Sequence, residues 1–151
     1  MRQAEFLDLC HTASLALRVE DPDQLGQSGE IEVDGVPIGL FFEPDLSPDV
    51  MCCYVAVGEV APVDRAEVFE RLLKMNLYTG TKSDGVFALD PDTGHVVIVI
   101  HFSVQRPWTG DILARLLRVY AGTARKMRDS ILPGAAAPPA PDQGAMLCQL
   151  A

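Results

Sequence analysis

Basic residues are scarce in this 151-residue chain: 12 Lys and Arg stand against 21 Asp and Glu, a formal charge of -9. Phosphate backbones repel such a surface, so nucleic acid is disfavoured as a partner, while a basic or amphipathic polypeptide is favoured. Cysteine is sparse too. Cys10, Cys52, Cys53 and Cys148 lack the loop-rich spacing of a disulfide scaffold, and two of them adjoin inside an apolar run. No apolar stretch reaches the roughly 18 residues that a membrane crossing needs. Glu5 and Asp8 interrupt any signal-peptide core. These absences predict a soluble protein of the reducing cytoplasm, with no nucleic-acid or membrane partner. A content of 48% hydrophobic and 22% charged residues suits one ordinary domain.

Motifs that carry chemistry are missing as well. Neither CxxC nor HExxH occurs, so no metal and no cofactor is expected. Gly80-Thr81-Lys82-Ser83 fails the spacing of a phosphate loop and reads as a turn. His95 and His101 share one strand face about 20 Å apart, too far for a joint site. His11 follows Cys10 with no visible group to orient it. Cys52 and Cys53, on a strand, face opposite sides. The expectation is no catalytic residue and no enzyme. A small enzyme using an acid cluster with His11 or His101 is the competing reading.

What is present is periodicity. Phe6, Leu9, Cys10, Ala13, Ala16 and Leu17 form a helical stripe over about 3–18. A turn-rich break from Glu20 to Gly29 follows. Ile31 and Val33, then Val36, Ile38, Leu40 and Phe42, alternate about Asp34-Gly35, a hairpin turn whose two positions need positive φ. Pro37 in the second run points its nitrogen toward an edge. Val50–Val57 is apolar on both faces, as in a covered strand. A second helix spans about 63–77, strands follow at 86–89 and 96–102 about a Pro-Asp-Thr-Gly turn, and Thr109 caps a long helix ending near Ile131. The order α-β-β-β-α-β-β-α predicts an α+β domain over 1–132, with helices flanking an antiparallel sheet, and a flexible Ala/Pro-rich tail over 133–151.

The second helix is apolar over much of its circumference, with Val68 and Met75 beside Phe69, Leu72, Leu73 and Leu77. So short a helix is either deeply buried or part of an interface, and a homodimer contact is favoured. Its end, Leu72-Leu73-Lys74-Met75-Asn76-Leu77, precedes Gly85-Val86-Phe87-Ala88-Leu89-Asp90-Pro91-Asp92-Thr93-Gly94-His95-Val96. With the element order, size and acidity, this resembles the class I type III secretion chaperones of the CesT (Tir chaperone) family over residues 3–130. The resemblance implies a homodimer without enzymatic activity. It would bind the N-terminal region of a secreted effector in extended form and keep it soluble and export-competent without ATP. It also implies Phe69, Leu72, Leu73 and Leu77 at the dimer interface, and Phe6, Leu9, Val33, Leu40 and Phe42 as the effector patch. A general adaptor of the same fold, unconnected to secretion, is the alternative.

Overall fold

The computed structural model describes residues 1–79 and 85–131. The Gly80–Ser83 turn and the tail over 133–151 lie outside the described residues. Among the described residues, four α-helices and five strands follow in the order α1 (Gln3–Leu17), α2 (Gln24–Ser28), β1 (Glu30–Val33), β2 (Val36–Phe41), β3 (Val50–Glu59), α3 (Arg65–Thr79), β4 (Val86–Leu89), β5 (His95–Ser103) and α4 (Gly110–Ile131), and one 3-10 turn at Pro62–Asp64 leads into α3. The strands form one antiparallel sheet in the order β1-β2-β3-β5-β4. This is the α+β architecture that the periodicity predicts.

Alternation along the strands decides what the sheet buries. Ile31, Ile38, Val55 and Ile98 face one side, as do Leu40, Cys53 and Ile100 and, at the far end, Met51 and Phe102. These side chains join Phe6, Leu9, Cys10 and Ala13 of α1 and Leu113, Leu117, Ala121 and Ala124 of α4 in one core. Small residues let the two helices approach closely. A Cβ on Gly110 would sit 2.5 Å from the carbonyl carbon of Thr12, so α4 can start against α1 only with glycine there. Thr109 caps that start, its Oγ1 accepting from the Ile112 amide at 3.3 Å.

The β1–β2 hairpin turns through Asp34 and Gly35 with φ of 50° and 77°, as the Asp-Gly pair requires. Pro37 lies on an interior strand rather than at a sheet edge. The β2–β3 ladder begins at Ile38, one residue beyond it, so the missing N–H is not needed. The break after α1 contains a helix that the sequence pattern does not reveal. It is five residues long, holds a single buried apolar side chain, Leu25, and stops at Gly29, whose φ is 76°. So short a segment has no periodicity to read. Strand β3 runs past Val57 to Glu59 through an irregularity in register between Ala56 and Gly58. The Val57 carbonyl there accepts a 2.6 Å hydrogen bond from Arg128 Nε, which ties the end of α4 to the sheet.

Candidate binding surfaces

Helix α3 lies along the free edge of β4, and Asn76 makes the connection. Its Nδ2 donates to the Phe87 carbonyl at 2.9 Å, and its Oδ1 accepts from the Phe87 amide at 2.7 Å. One carboxamide thus copies a neighbouring strand and occupies two backbone groups of an edge that would otherwise be open to pairing. Phe69, Leu72, Leu73 and Asn76 on the helix then face Phe87, Ala88 and Leu89 across a groove of about 290 Å³. Leu73 is 70% exposed, Leu77 73% and Leu89 46%. Leu72 is buried against the core and Phe69 half-buried. Of the four residues expected at a dimer interface, Leu73 and Leu77 therefore present open apolar surface, Phe69 contributes one flank, and Leu72 anchors the helix.

The five residues expected to receive a client lie inside the fold. Phe6, Leu9, Val33, Leu40 and Phe42 are 0–5% exposed, and Phe6 packs on Phe42 with ring centroids 5.6 Å apart. Val33, Leu40 and Phe42 lie on the side of the sheet that α1 and α4 cover, and Phe6 and Leu9 belong to α1 and join the same core. The apolar area of all five is therefore already withdrawn from water. Leu9 alone reaches a surface depression, a cleft of about 570 Å³ between α1 and the start of α4. Glu5, Asp8 and Thr12 of α1 and Trp108 line it as well. Trp108 is half-buried, packs on Phe102 at 5.3 Å, and donates its indole N–H to the Ser103 carbonyl. Glu5 is held below the usual carboxylate range by the Arg2 amide and then by its guanidinium. The sequence reading missed Trp108, Phe87, Leu89 and Asn76. The first is the only tryptophan, and the last stands in the very motif that carries the resemblance.

Among the described residues, the histidines and cysteines considered as candidate reactive groups stand in these settings. His11 has an orienting partner after all, since its Nδ1 lies 2.6 Å from Asp23, but the pair is solvent-facing. Its sequence neighbour Cys10 is buried, with a thiol pushed up to about 12 by desolvation. Burial raises Cys53 as well, and raises half-exposed Cys52 together with the nearby Glu43 carboxylate. A thiol held protonated in this way is a poor nucleophile and a poor metal ligand. Among the described residues, no three His, Cys, Asp or Glu side chains come together as a metal site, and no helix is long and apolar enough to cross a membrane.

The sequence model of the Tir chaperone protein (CesT) family matches residues 49–128, more than half of the chain. The chain belongs to that family. The match runs from the start of β3 into α4, so the α3–β4 groove lies wholly within it, whereas α1, α2, β1 and β2 precede it. A solved structure, the crystal structure of the ExsC-ExsE complex, extends the likeness in three dimensions. It is similar at a TM-score of 0.64 with 17% identity, over 85% of this chain and 95% of that one. No curated protein matches the chain.

The motif that this CesT-family chain carries has local physical reasons. A Cβ on Gly85 would lie 2.9 Å from Ile98, Val99 and Ile100 at a φ of 97°. Asp90 is buried and caps the β4–β5 turn, accepting from the Asp92 amide at 2.9 Å and the Thr93 hydroxyl at 2.8 Å. Gly94 closes that turn at a φ of 70°.

Proposed function

We propose that the protein is a type III secretion chaperone that works as a cytoplasmic homodimer and has no enzymatic activity. It holds the N-terminal region of a secreted effector in extended form, soluble and ready for export, and needs no ATP. Membership of the CesT family over residues 49–128 carries this reading. The structural likeness is to a complex, ExsC with ExsE, which agrees with a protein partner. The exposed leucines of α3 and β4 give the physical motive for pairing, because each apolar side chain removed from water contributes about 1.5–3 kcal/mol. The α1–α4 cleft is the client surface we favour, with Trp108 as an anchor and Glu5 and Asp8 to attract a basic segment. A disordered client loses chain freedom on binding, which keeps the affinity moderate for the area covered.

Co-purification from the native cell followed by limited proteolysis tests the proposal. One dominant partner, protected near its N-terminus, is the expected result. A folded-domain partner would favour an adaptor instead. Light scattering tests the pairing: Leu73→Asp should halve the mass, and an unchanged mass would remove α3 from the interface.

A further inference from the structure

The solvent face of α4 is cationic on a protein that is otherwise acidic. Arg115, Arg118, Arg125, Lys126 and Arg128 belong to this helix, with Asp111 and Asp129 toward its ends. Setting these seven aside leaves 7 basic and 19 acidic residues. At about 100° per residue, positions 115, 118, 125 and 126 fall within an arc of roughly 100° that contains Gly122. All four side chains are exposed. Among the described residues none of them pairs with a carboxylate; the ion pairs formed there are Arg2–Glu5, His11–Asp23 and Lys74–Glu70. Two of the guanidinium groups are instead tethered by backbone carbonyls, Arg118 to Ala16 and Arg125 to Asp34, each at 3.2 Å. Those bonds fix their direction without neutralising their charge.

Gly122 supplies an independent observation. Apart from proline, glycine is the least favourable residue inside a helix, and it is kept where packing or a close backbone approach forbids a side chain. Here nothing within 4 Å would meet an added Cβ, so the fold itself does not demand it. Glycine leaves a flat step between the Arg118 and Arg125 turns, with exposed Val119 beside it.

We propose that this face of α4 is a docking surface for an acid-rich segment of a partner polypeptide, whose backbone approaches at Gly122. Asp111 and Asp129 bracket the cationic stretch, whose residues 115–126 span about 17 Å, or three helical turns. The segment that fits is acidic over about three helical turns and neutral or basic beyond them. A long polyanion would run past Asp111 and Asp129 and be repelled there. The surface is separate from the α3–β4 groove and the α1–α4 cleft, and it does not rest on the secretion reading.

Fluorescence anisotropy on the full chain tests it, using a labelled 16-residue Glu/Ala helical peptide and its Lys/Ala counterpart at low salt. The expected result is binding of the Glu peptide alone, weakened by added salt. The double variant Arg115→Glu/Lys126→Glu should weaken it about tenfold, since reversing rim charges costs roughly that much. Gly122→Leu should also weaken binding while thermal unfolding shows no loss of stability, because the new side chain meets only open space. Equal binding of both peptides, or binding untouched by these variants, would overturn the proposal. So would duplex DNA or phosphatidylserine vesicles binding more tightly than the Glu peptide with the same dependence on Arg115 and Lys126. A fall in self-association on Arg115→Glu would assign the face to a second copy and overturn it equally.

Discussion

Replacing Asn76 by alanine deletes two hydrogen bonds and adds no new contact. The Phe87 amide and carbonyl, now served at 2.7 and 2.9 Å, would turn to water or stay unpaired. A net hydrogen bond contributes about 0.5–1.5 kcal/mol, and partial burial of these groups places the pair toward the middle of that range. The expected loss is about 2 kcal/mol in urea unfolding at fixed protein concentration, with Trp108 emission as the probe. Exchange of the Phe87 amide should quicken in parallel. Asn76→Asp separates the two bonds. A carboxylate still accepts from the amide but cannot donate to the carbonyl, so the variant should be weak at neutral pH. It should recover below the carboxylate range, where a protonated acid can do both. A change under about 0.5 kcal/mol for Asn76→Ala, with the Phe87 amide still protected, would refute the strand-mimic role.

Gly85→Ala should cost about 2–4 kcal/mol, from left-handed strain at φ 97° together with overpacking against Ile98 and Ile100; thermal unfolding measures it. Asp90→Ala removes the acceptor of the Asp92 and Thr93 amides and of the Thr93 hydroxyl and should cost about 2 kcal/mol, with Asn in its place recovering part of that. Glu30 is buried on β1, and desolvation raises its carboxyl above the usual range. The native state therefore holds the Glu30 proton more tightly than the unfolded chain does. This group's contribution to stability falls as pH rises from the ordinary carboxylate range through the raised value. Glu30→Gln should accordingly raise the melting temperature at about pH 7, and the gain should vanish below about pH 4. A constant difference across that range would exclude the desolvated carboxylate as its cause.

Much of the fold is legible because its elements are bounded by residues with one conformational use. Asp34-Gly35, Thr109 and the Pro91–Gly94 turn each mark a boundary that the chain observes. Helix α2 escapes notice because one buried leucine in five residues sets no period. The prolonged β3 escapes because the irregularity near Gly58 breaks the alternation that would extend it. The His11–Asp23 pair depends on the path of the chain between α1 and β1, which no local pattern encodes.

The surfaces are less legible, and the reason is geometric. Alternation shows that Val33, Leu40 and Phe42 share a face, and the helical period puts Phe6 with Leu9, but neither says which face another element will cover. Both sets belong to the side where α1 and α4 close over the sheet, so the most regular apolar pattern became the core. Surplus rather than regularity points to open surface. Helix α3 carries more apolar residues than its contact with β4 can bury, and Leu73 and Leu77 stay in water. The cleft beside Trp108 arises instead where two helix ends meet, from residues more than ninety positions apart. The proposed client-binding role and the stable fold would therefore draw on different residues of the same helix. On α1, Phe6 faces the core while Glu5 and Asp8 line the cleft. Substitutions along α1 should then separate the two roles. Phe6→Ala should lower stability by about 3–5 kcal/mol. Asp8→Asn should leave the melting temperature unchanged and weaken only the binding of a basic client. Equal effects of both on stability would place Asp8 within the structural framework and move the client elsewhere.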